Sequence, residues 1–360
     1  MASSIPERFT GQAALTEEKG KKLEVEPWSY TPKKWTENDI DIKVSCSGVC
    51  GSCVHTLTNG WPSPTHYPAI AGHEVIGTVV RAGANVKNVK VGDKVGVGAQ
   101  GMSCGECEWC QQGLQQHCDK GMQGTYQGTA EDGSVAQGGY ADYMRCHGHL
   151  AVKIPEGLNE ETSAPLLCAG VTVYTPLKRW GAGPGKKVAV VGLGGLGHLA
   201  VQIAGAMGAE VFVLSHSARK IDDAEKLGCK RENFIVAKDK EETKKNWTRK
   251  FDIIILTSNA ADIPLEDLYF PLLRPTGTFI LCALPENKLA AMYGQALVYK
   301  SISLAGSLIG GTAELEELFD LAAKHNIKSW VETRPMTEAT KTLQDLHSGN
   351  MECYRFVLKN

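Results

Sequence analysis

Four cysteines, Cys104, Cys107, Cys110 and Cys118, stand in the spacing C-x2-C-x2-C-x7-C. No other feature constrains the fold of this chain so strongly. Thiolates are soft ligands, and four of them complete the tetrahedral coordination of zinc, leaving no position open for a further molecule. Two-residue spacing lets consecutive thiolates curl round one ion on a short loop. Gly105 and the run Gly113–His117 supply the bends. A disulfide framework is the competing explanation, but it belongs to small secreted domains. This chain has 360 residues, and Met1–Gly11 carries Glu7 and Arg8 where a secretory signal needs an apolar core. The spacing predicts a closed, structural zinc site.

The remaining bulk properties narrow the class. A length of 360 residues fits two ordinary domains, each able to bury its own core. The net charge of −2 gives no global basic field to draw in nucleic acid. Val188–Ala209 is the longest charge-poor stretch, yet it holds six glycines with His198 and Gln202, so it predicts a buried strand–turn–helix and not a membrane span. Twelve cysteines without a secretory signal point to a reducing compartment, and the chain reads as cytoplasmic.

The texture changes along the chain. Up to about residue 168 it is β-rich, with strands expected at Ile40–Ser45, Val75–Arg81 and Lys94–Gly98 punctuated by glycine. From 169 to 306 apolar strands alternate with helices. Lys187–Val191, Val211–Ser215, Phe251–Leu256 and Thr278–Leu281 are the strands, as a doubly wound parallel sheet requires. The segment 307–360 returns with two amphipathic helices, Ala313–His325 and Met336–Ser348, and a last strand, Tyr354–Leu358. The charge-rich Lys240–Lys250 reads as a solvated helix or loop.

Gly192-Leu193-Gly194-Gly195-Leu196-Gly197 matches G-x-G-x-x-G. It follows an apolar strand, opens a helix and precedes a second strand, the context that turns a weak hexapeptide into a dinucleotide loop. Its glycines allow a tight turn and close backbone approach, and the helix N-terminus offers N–H groups to a pyrophosphate. A carboxylate at the end of the second strand would bind the ribose hydroxyl of NAD and repel a 2′-phosphate. This chain has Ser215 there, then His216, Ser217, Arg219 and Lys220. A hydroxyl among cations suits a phosphate, which selects NADP(H).

Three quieter features remain: Gly48-Val49-Cys50-Gly51-Ser52, Gly72-His73-Glu74, and Pro165-Leu166-Leu167-Cys168-Ala169-Gly170. With the strings GVCGS, GHEVIG, VGDKVGVGAQ, QGGYADY, PLLCAGVTVY, GLGGLG and CYRFVL, nearly the whole chain resembles the zinc-dependent medium-chain alcohol dehydrogenases. It is most similar to their cinnamyl alcohol dehydrogenase branch, in particular the fungal NADP(H)-dependent members of broad substrate range. The resemblance implies a GroES-like catalytic domain over 1–168 and 307–360, with a Rossmann domain over 169–306. It also implies two zinc ions per chain and a homodimer, with Val298–Leu308 as a candidate edge strand.

Carried onto these positions, the resemblance makes Cys50, His73 and Cys168 ligands of a catalytic zinc, with Glu74 able to approach the metal. Two thiolates and one imidazole leave a fourth position open, where an alcohol would become more acidic and an aldehyde would be polarised. Ser52 and His55 match a proton relay; without the resemblance they would be an ordinary turn residue and a surface or core histidine. Trp61 and Tyr67, in the loop 59–67, and the stretch near Met122 and Gln123 are candidates for the substrate wall. One departure stands out. The family reads GVCGSD, its carboxylate bonding the zinc-binding histidine, and this chain has Cys53 in that place. Cys50-Gly51-Ser52-Cys53, with Cys46 nearby, imitates a further thiolate cluster, whose redox use would compete with zinc for Cys50.

The implied activity is reversible hydride transfer between NADP(H) and a primary alcohol or aldehyde, aromatic or medium-chain. A polyol dehydrogenase of the same superfamily is the near alternative. A non-enzymatic zinc-binding interaction module is the distant one, and it leaves the nucleotide loop and the second metal set without a use.

Overall fold

The computed structural model describes residues 5–258, 262–283 and 288–360. The chain divides into two compact units. One comprises Met1–Cys168, Gly310–Ala323 and Lys328–Asn360, and the other Ala169–Ile309 with Lys324–Ile327.

The first unit is built round the eleven-residue strand Asp39–Val49. It pairs antiparallel with Val75–Ala82, Tyr143–His147 and Arg355–Lys359, inside a seven-stranded sheet. Ile40, Ile42 and Val44 alternate along it into a core shared with Val75, Val79, Val95, Val97 and Met144. The intervening Asp39 and Asp41 are fully buried as well. Each is paired: Asp39 with Lys33 at 2.5 Å, and Asp41 with both arms of Arg145 at 2.7 and 3.0 Å. That pairing lets the strand begin earlier than the apolar pattern predicts. Its far end, Val49, enters a second core with Val54, Leu57, Tyr140, Phe356 and Leu358.

The second unit holds six parallel strands in the order Phe234–Val236, Glu210–Ser215, Lys187–Val191, Phe251–Leu256, Leu273–Leu281 and Ser303–Gly306. This is the doubly wound arrangement, with its switch point between Lys187–Val191 and Phe251–Leu256. Lys240–Trp247 is a helix, capped by Asp239. Ser303–Gly306 is the outermost strand on its side, and Val298 and Tyr299 before it are exposed. Among the described residues, no helix is long and apolar enough to cross a membrane.

Beside the four-cysteine loop, Ser103 binds two histidines. Its Oγ lies 2.7 Å from His149 Nε2, and its carbonyl 3.0 Å from His147 Nδ1. Burial holds the His149 imidazole down to about 4, and His147 adds to the effect. Unfolded histidine titrates near 6.5, so the unfolded chain takes up this proton first as the pH falls. The associated stability is complete above about pH 6.5 and is lost progressively towards pH 4. His149→Gln should therefore lose less stability than the parent between pH 7 and pH 5, by about 1–2 kcal/mol. Urea midpoints at the two pH values measure the difference.

Candidate active site

Cys104, Cys107, Cys110 and Cys118 converge, their Sγ atoms all within 4.8 Å of one another. Cys104 lies 3.8 Å from Cys110 and 3.5 Å from Cys118. Tetrahedral zinc with bonds of about 2.3 Å places its sulfurs roughly 3.8 Å apart, so the set fits that ion. Gly105 takes a φ of +73°, turning the chain between the first two ligands as only glycine does without strain. Hydrogen bonds from the N–H groups of Glu106 and Cys107 bring the Cys104 thiol down to about 6. Burial pushes Cys110 up to about 12. The loop thus offers a ready thiolate at Cys104, while Cys110 would deprotonate as an ion binds.

The second group, Cys50, His73, Glu74 and Cys168, also converges within 4.8 Å, and all four residues are buried. Cys50 caps the helix Gly51–Leu57 where the strand Asp39–Val49 ends. His73 and Glu74 enter from the turn before the strand Val75–Ala82, and Cys168 follows the short turn Ala164–Leu167. Gly72 has a φ of +101°, and the Tyr140 ring lies 2.6 Å from where its Cβ would be. Gly48 makes room for Glu74, whose Oε2 would meet a Cβ there at 1.9 Å. A side chain at either glycine would displace a ligand-bearing turn.

The donor set fits a zinc with three protein ligands. Cys50 and Cys168 Sγ lie 4.0 Å apart, and His73 Nε2 is a buried ring nitrogen without a partner among the described residues. The bond from Cys168 holds the Cys50 thiol well below its ordinary range and Cys168 well above; Arg355 and His73 also favour the Cys50 thiolate. Glu74 is fully buried, which raises its carboxyl, but Arg355 opposes the shift through a short ion pair from Nη2 to Oε1. One Glu74 oxygen is committed to Arg355, while Oε2 is buried without a partner among the described residues and remains able to approach the metal.

Ser52 and His55 sit one turn apart on the helix Gly51–Leu57, and so on one face. Ser52 Oγ is 3.7 Å from Cys50 Sγ, and the His55 ring lies 5.0 Å from Trp61. Trp61 donates from Nε1 to Thr56 Oγ1 at 3.0 Å. Tyr67 is a packing residue, its hydroxyl donating to the Leu57 carbonyl at 2.8 Å and its ring covering Gly20. Met122 is partly exposed, and Gln123 Oε1 accepts from the Thr129 N–H. Cys46 is buried near Glu160, Glu161, Lys359 and Lys94, and Cys53 is outside the converging group. The apparent further thiolate cluster is therefore not assembled.

In the second unit, Gly192–Gly197 links the strand Lys187–Val191 to the helix Gly197–Ala206, whose N-terminus carries no side-chain cap. Gly192 has a φ of +88°, and a Cβ on Gly197 would meet the Gly192 carbonyl at 2.0 Å. Gly194 faces open space, as a loop that cradles a phosphate must. Lys220 Nζ donates to the Leu193 carbonyl at 2.7 Å, bringing a cation to the loop, and burial lowers its pKa. Ser215 ends its strand with its hydroxyl accepting from the Ser217 N–H at 3.5 Å, and His216 is exposed. The loop Gly192–Gly197 therefore fits the pyrophosphate of a dinucleotide.

Arg355 and Tyr126 are the site residues that sequence reasoning missed. An arginine in the otherwise apolar run Tyr354-Arg355-Phe356-Val357-Leu358 was the available signal for the first. Tyr126 had none, because its neighbour in space, His73, lies far from it in sequence.

Comparison with known proteins agrees with both units. Residues 36–156 match the family described as alcohol dehydrogenase GroES-like domain, and residues 195–324 match zinc-binding dehydrogenase. The NADP-dependent alcohol dehydrogenase 6 of Saccharomyces cerevisiae is 38% identical over 99% of this chain and 97% of its own length. A probable mannitol dehydrogenase of Mesembryanthemum crystallinum is 41% identical over 99% and 98%. Among solved structures, a cinnamyl alcohol dehydrogenase of Sorghum bicolor superposes with a TM-score of 0.89 at 32% identity, covering 98% of this chain and 97% of its own. A Helicobacter pylori relative, described as CAD complexed with NADP(H), gives 0.87 at 30% identity and 99% coverage of both chains.

Four converging thiolates would leave tetrahedral zinc no open coordination position. Cys107→Ala should lose one zinc and lower the thermal midpoint by several degrees, since losing a structural metal removes folding free energy. Turnover per folded molecule should change little. Metal analysis, a melting curve and kinetics on the folded fraction test this; a fully stable variant that lost only turnover would reverse the two metal roles.

Proposed function

The chain belongs to the medium-chain dehydrogenase/reductase family as a zinc-binding, NAD(P)(H)-dependent oxidoreductase, and on that premise we propose that it is an NADP(H)-dependent alcohol dehydrogenase. Its main work is the reduction of aromatic or medium-length aldehydes to primary alcohols. The observation that carries this reading is the meeting of Cys50, His73 and Cys168, with Glu74 tied to Arg355. Two thiolates and one imidazole are one ligand fewer than tetrahedral zinc takes, and Glu74 Oε2, without a partner among the described residues, would stand by for the fourth position when substrate leaves.

When bound, zinc supplies the Lewis acidity that polarises a carbonyl, and NADPH supplies the hydride. The chain's own residues do the rest. Gly192–Gly197 and the helix N-terminus hold the pyrophosphate, while Ser215, His216 and Lys220 hold the ribose phosphate. Ser52 Oγ passes a proton to the oxygen of the nascent alcohol, and the His55 imidazole replaces it from solvent. The sum is aldehyde plus NADPH plus one proton giving alcohol plus NADP⁺, and oxidation runs the same path backwards.

The identity to a probable mannitol dehydrogenase favours a second reading, polyol oxidation. A panel of aromatic and aliphatic aldehydes, their alcohols and small sugar alcohols, each with both cofactors, separates the two. Turnover of sugar alcohols with NAD⁺ but not of aldehydes with NADPH would replace the first reading by the second. In the same assay, Ser215→Asp should lower kcat/KM for NADPH by roughly 10–100-fold, the worth of one charge-assisted contact. An unchanged preference would remove Ser215 from the phosphate site.

His55→Ala should reduce the hydride step at neutral pH by about 100-fold and flatten its pH dependence, the usual scale of a lost proton-transfer group. Imidazole added to the assay should restore part of the rate. A variant with the parent's rate and pH profile would exclude His55 from the relay.

A further inference from the structure

The family's carboxylate beside the zinc-binding histidine is absent here, and the structure shows what stands in its neighbourhood. The Tyr126 ring lies parallel to the His73 imidazole, with centroids 5.3 Å apart and planes within 7°. That is offset stacking, a favourable arrangement for two π systems. The Tyr126 hydroxyl points onwards to Cys53 Sγ at 3.8 Å. Both residues belong to one buried core with Tyr140, and burial keeps the Tyr126 phenol protonated.

The segment that carries Tyr126 is fastened on both sides. The Thr125 N–H bonds to the Ala99 carbonyl at 3.1 Å, and its hydroxyl to the Gly98 carbonyl at 2.5 Å. Gln127 clamps the backbone of His66 through both side-chain atoms, at 2.7 and 3.0 Å, and its own N–H bonds to Ala136 at 3.0 Å. The ring is thus held by at least five hydrogen bonds from its two sequence neighbours. A thiol, by contrast, is a weak donor and a weak acceptor, with little power to orient an imidazole.

We propose that Tyr126 is the positioning residue for His73 in this chain, fixing the plane of the imidazole by its ring face where relatives use a carboxylate, with Cys53 acting as a spacer. The proposal rests on the reading that Cys50, His73 and Cys168 hold the catalytic zinc.

The test uses the zinc-loaded protein. Release of zinc to a chelating dye is timed, and the visible spectrum is recorded with cobalt(II) in place of the zinc at His73. Tyr126→Leu should release that zinc about 10–100-fold faster than the parent, the usual consequence of losing an outer partner, and should shift the cobalt bands. Tyr126→Phe, which keeps the ring, and Cys53→Ala should both stay within about twofold of the parent. Adding Cys53→Asp to Tyr126→Leu should restore slow release and the parent spectrum.

Parent-like release and spectrum in Tyr126→Leu overturn the proposal. So does Cys53→Ala that loses zinc as fast as Tyr126→Leu, which would make the thiol the orienting group. If Tyr126→Leu does not fold, Tyr126→Phe and Cys53→Ala decide it, since fast release from either overturns the ring's role. A parent that binds a single zinc, with Cys50→Ser binding the same amount, would instead overturn the catalytic-zinc reading itself.

Discussion

Arg355 is the residue on which the catalytic corner of this molecule depends. Cys50, Cys168 and Glu74 are all buried, and as anions they would bring three negative charges into an apolar core. Burying even one unpaired charge is prohibitive. Arg355, itself buried, supplies one positive charge through its ion pair with Glu74, and a bound divalent ion would supply two. The formal sum is then zero. With both thiols ionised, either partner alone would leave the site charged; Cys168, held protonated by Cys50 and by burial, would give up its proton as the ion binds.

The balance also explains the position of the last strand. Arg355–Lys359 pairs antiparallel with the end of Asp39–Val49, Phe356 opposite Val49, which sets Arg355 beside Cys50 and Glu74. The chain leaves the first unit after Cys168 and returns near its end to deliver this one cation. The four-cysteine loop is a different solution to the same problem. Its ligands fall within fifteen consecutive residues, its hydrogen bonds come from its own backbone, and its coordination closes on the metal. It needs no distant partner.

That contrast determines what was legible in the sequence. Cys104, Cys107, Cys110 and Cys118 announce themselves because the requirement is local, and the spacing is the geometry. Gly192–Gly197 is legible for the same reason, since turn, glycine and helix start are contiguous. The near-continuous apolar runs of Lys187–Val191 and Phe251–Leu256 report the buried parallel sheet directly. Asp39 was illegible as a strand residue, and so was the burial of Asp41 inside the expected strand, because the cations that make their burial tolerable, Lys33 and Arg145, are identified only once the sheet is folded. Glu74 and Arg355 are 281 positions apart, and nothing in either segment names the other. Family resemblance marked Glu74 but gave no role to its partner.

Residue 53 shows where pattern reading stops and packing begins. As a letter in GVCGSC, the cysteine is a loss of a hydrogen-bonding partner for His73, or one half of a C-x-x-C. In the folded chain the second description fails, since Cys53 does not join the converging ligands, and its polar neighbours are the hydroxyls of Tyr126 and Tyr140 and not His73. A carboxylate at this position would hold the imidazole by a charge-assisted hydrogen bond. The thiol at this position is kept neutral by burial and meets the hydroxyl of Tyr126 at 3.8 Å. Orientation of the imidazole is then a matter of shape rather than charge, supplied by an aromatic face whose backbone is fixed at Thr125 and Gln127.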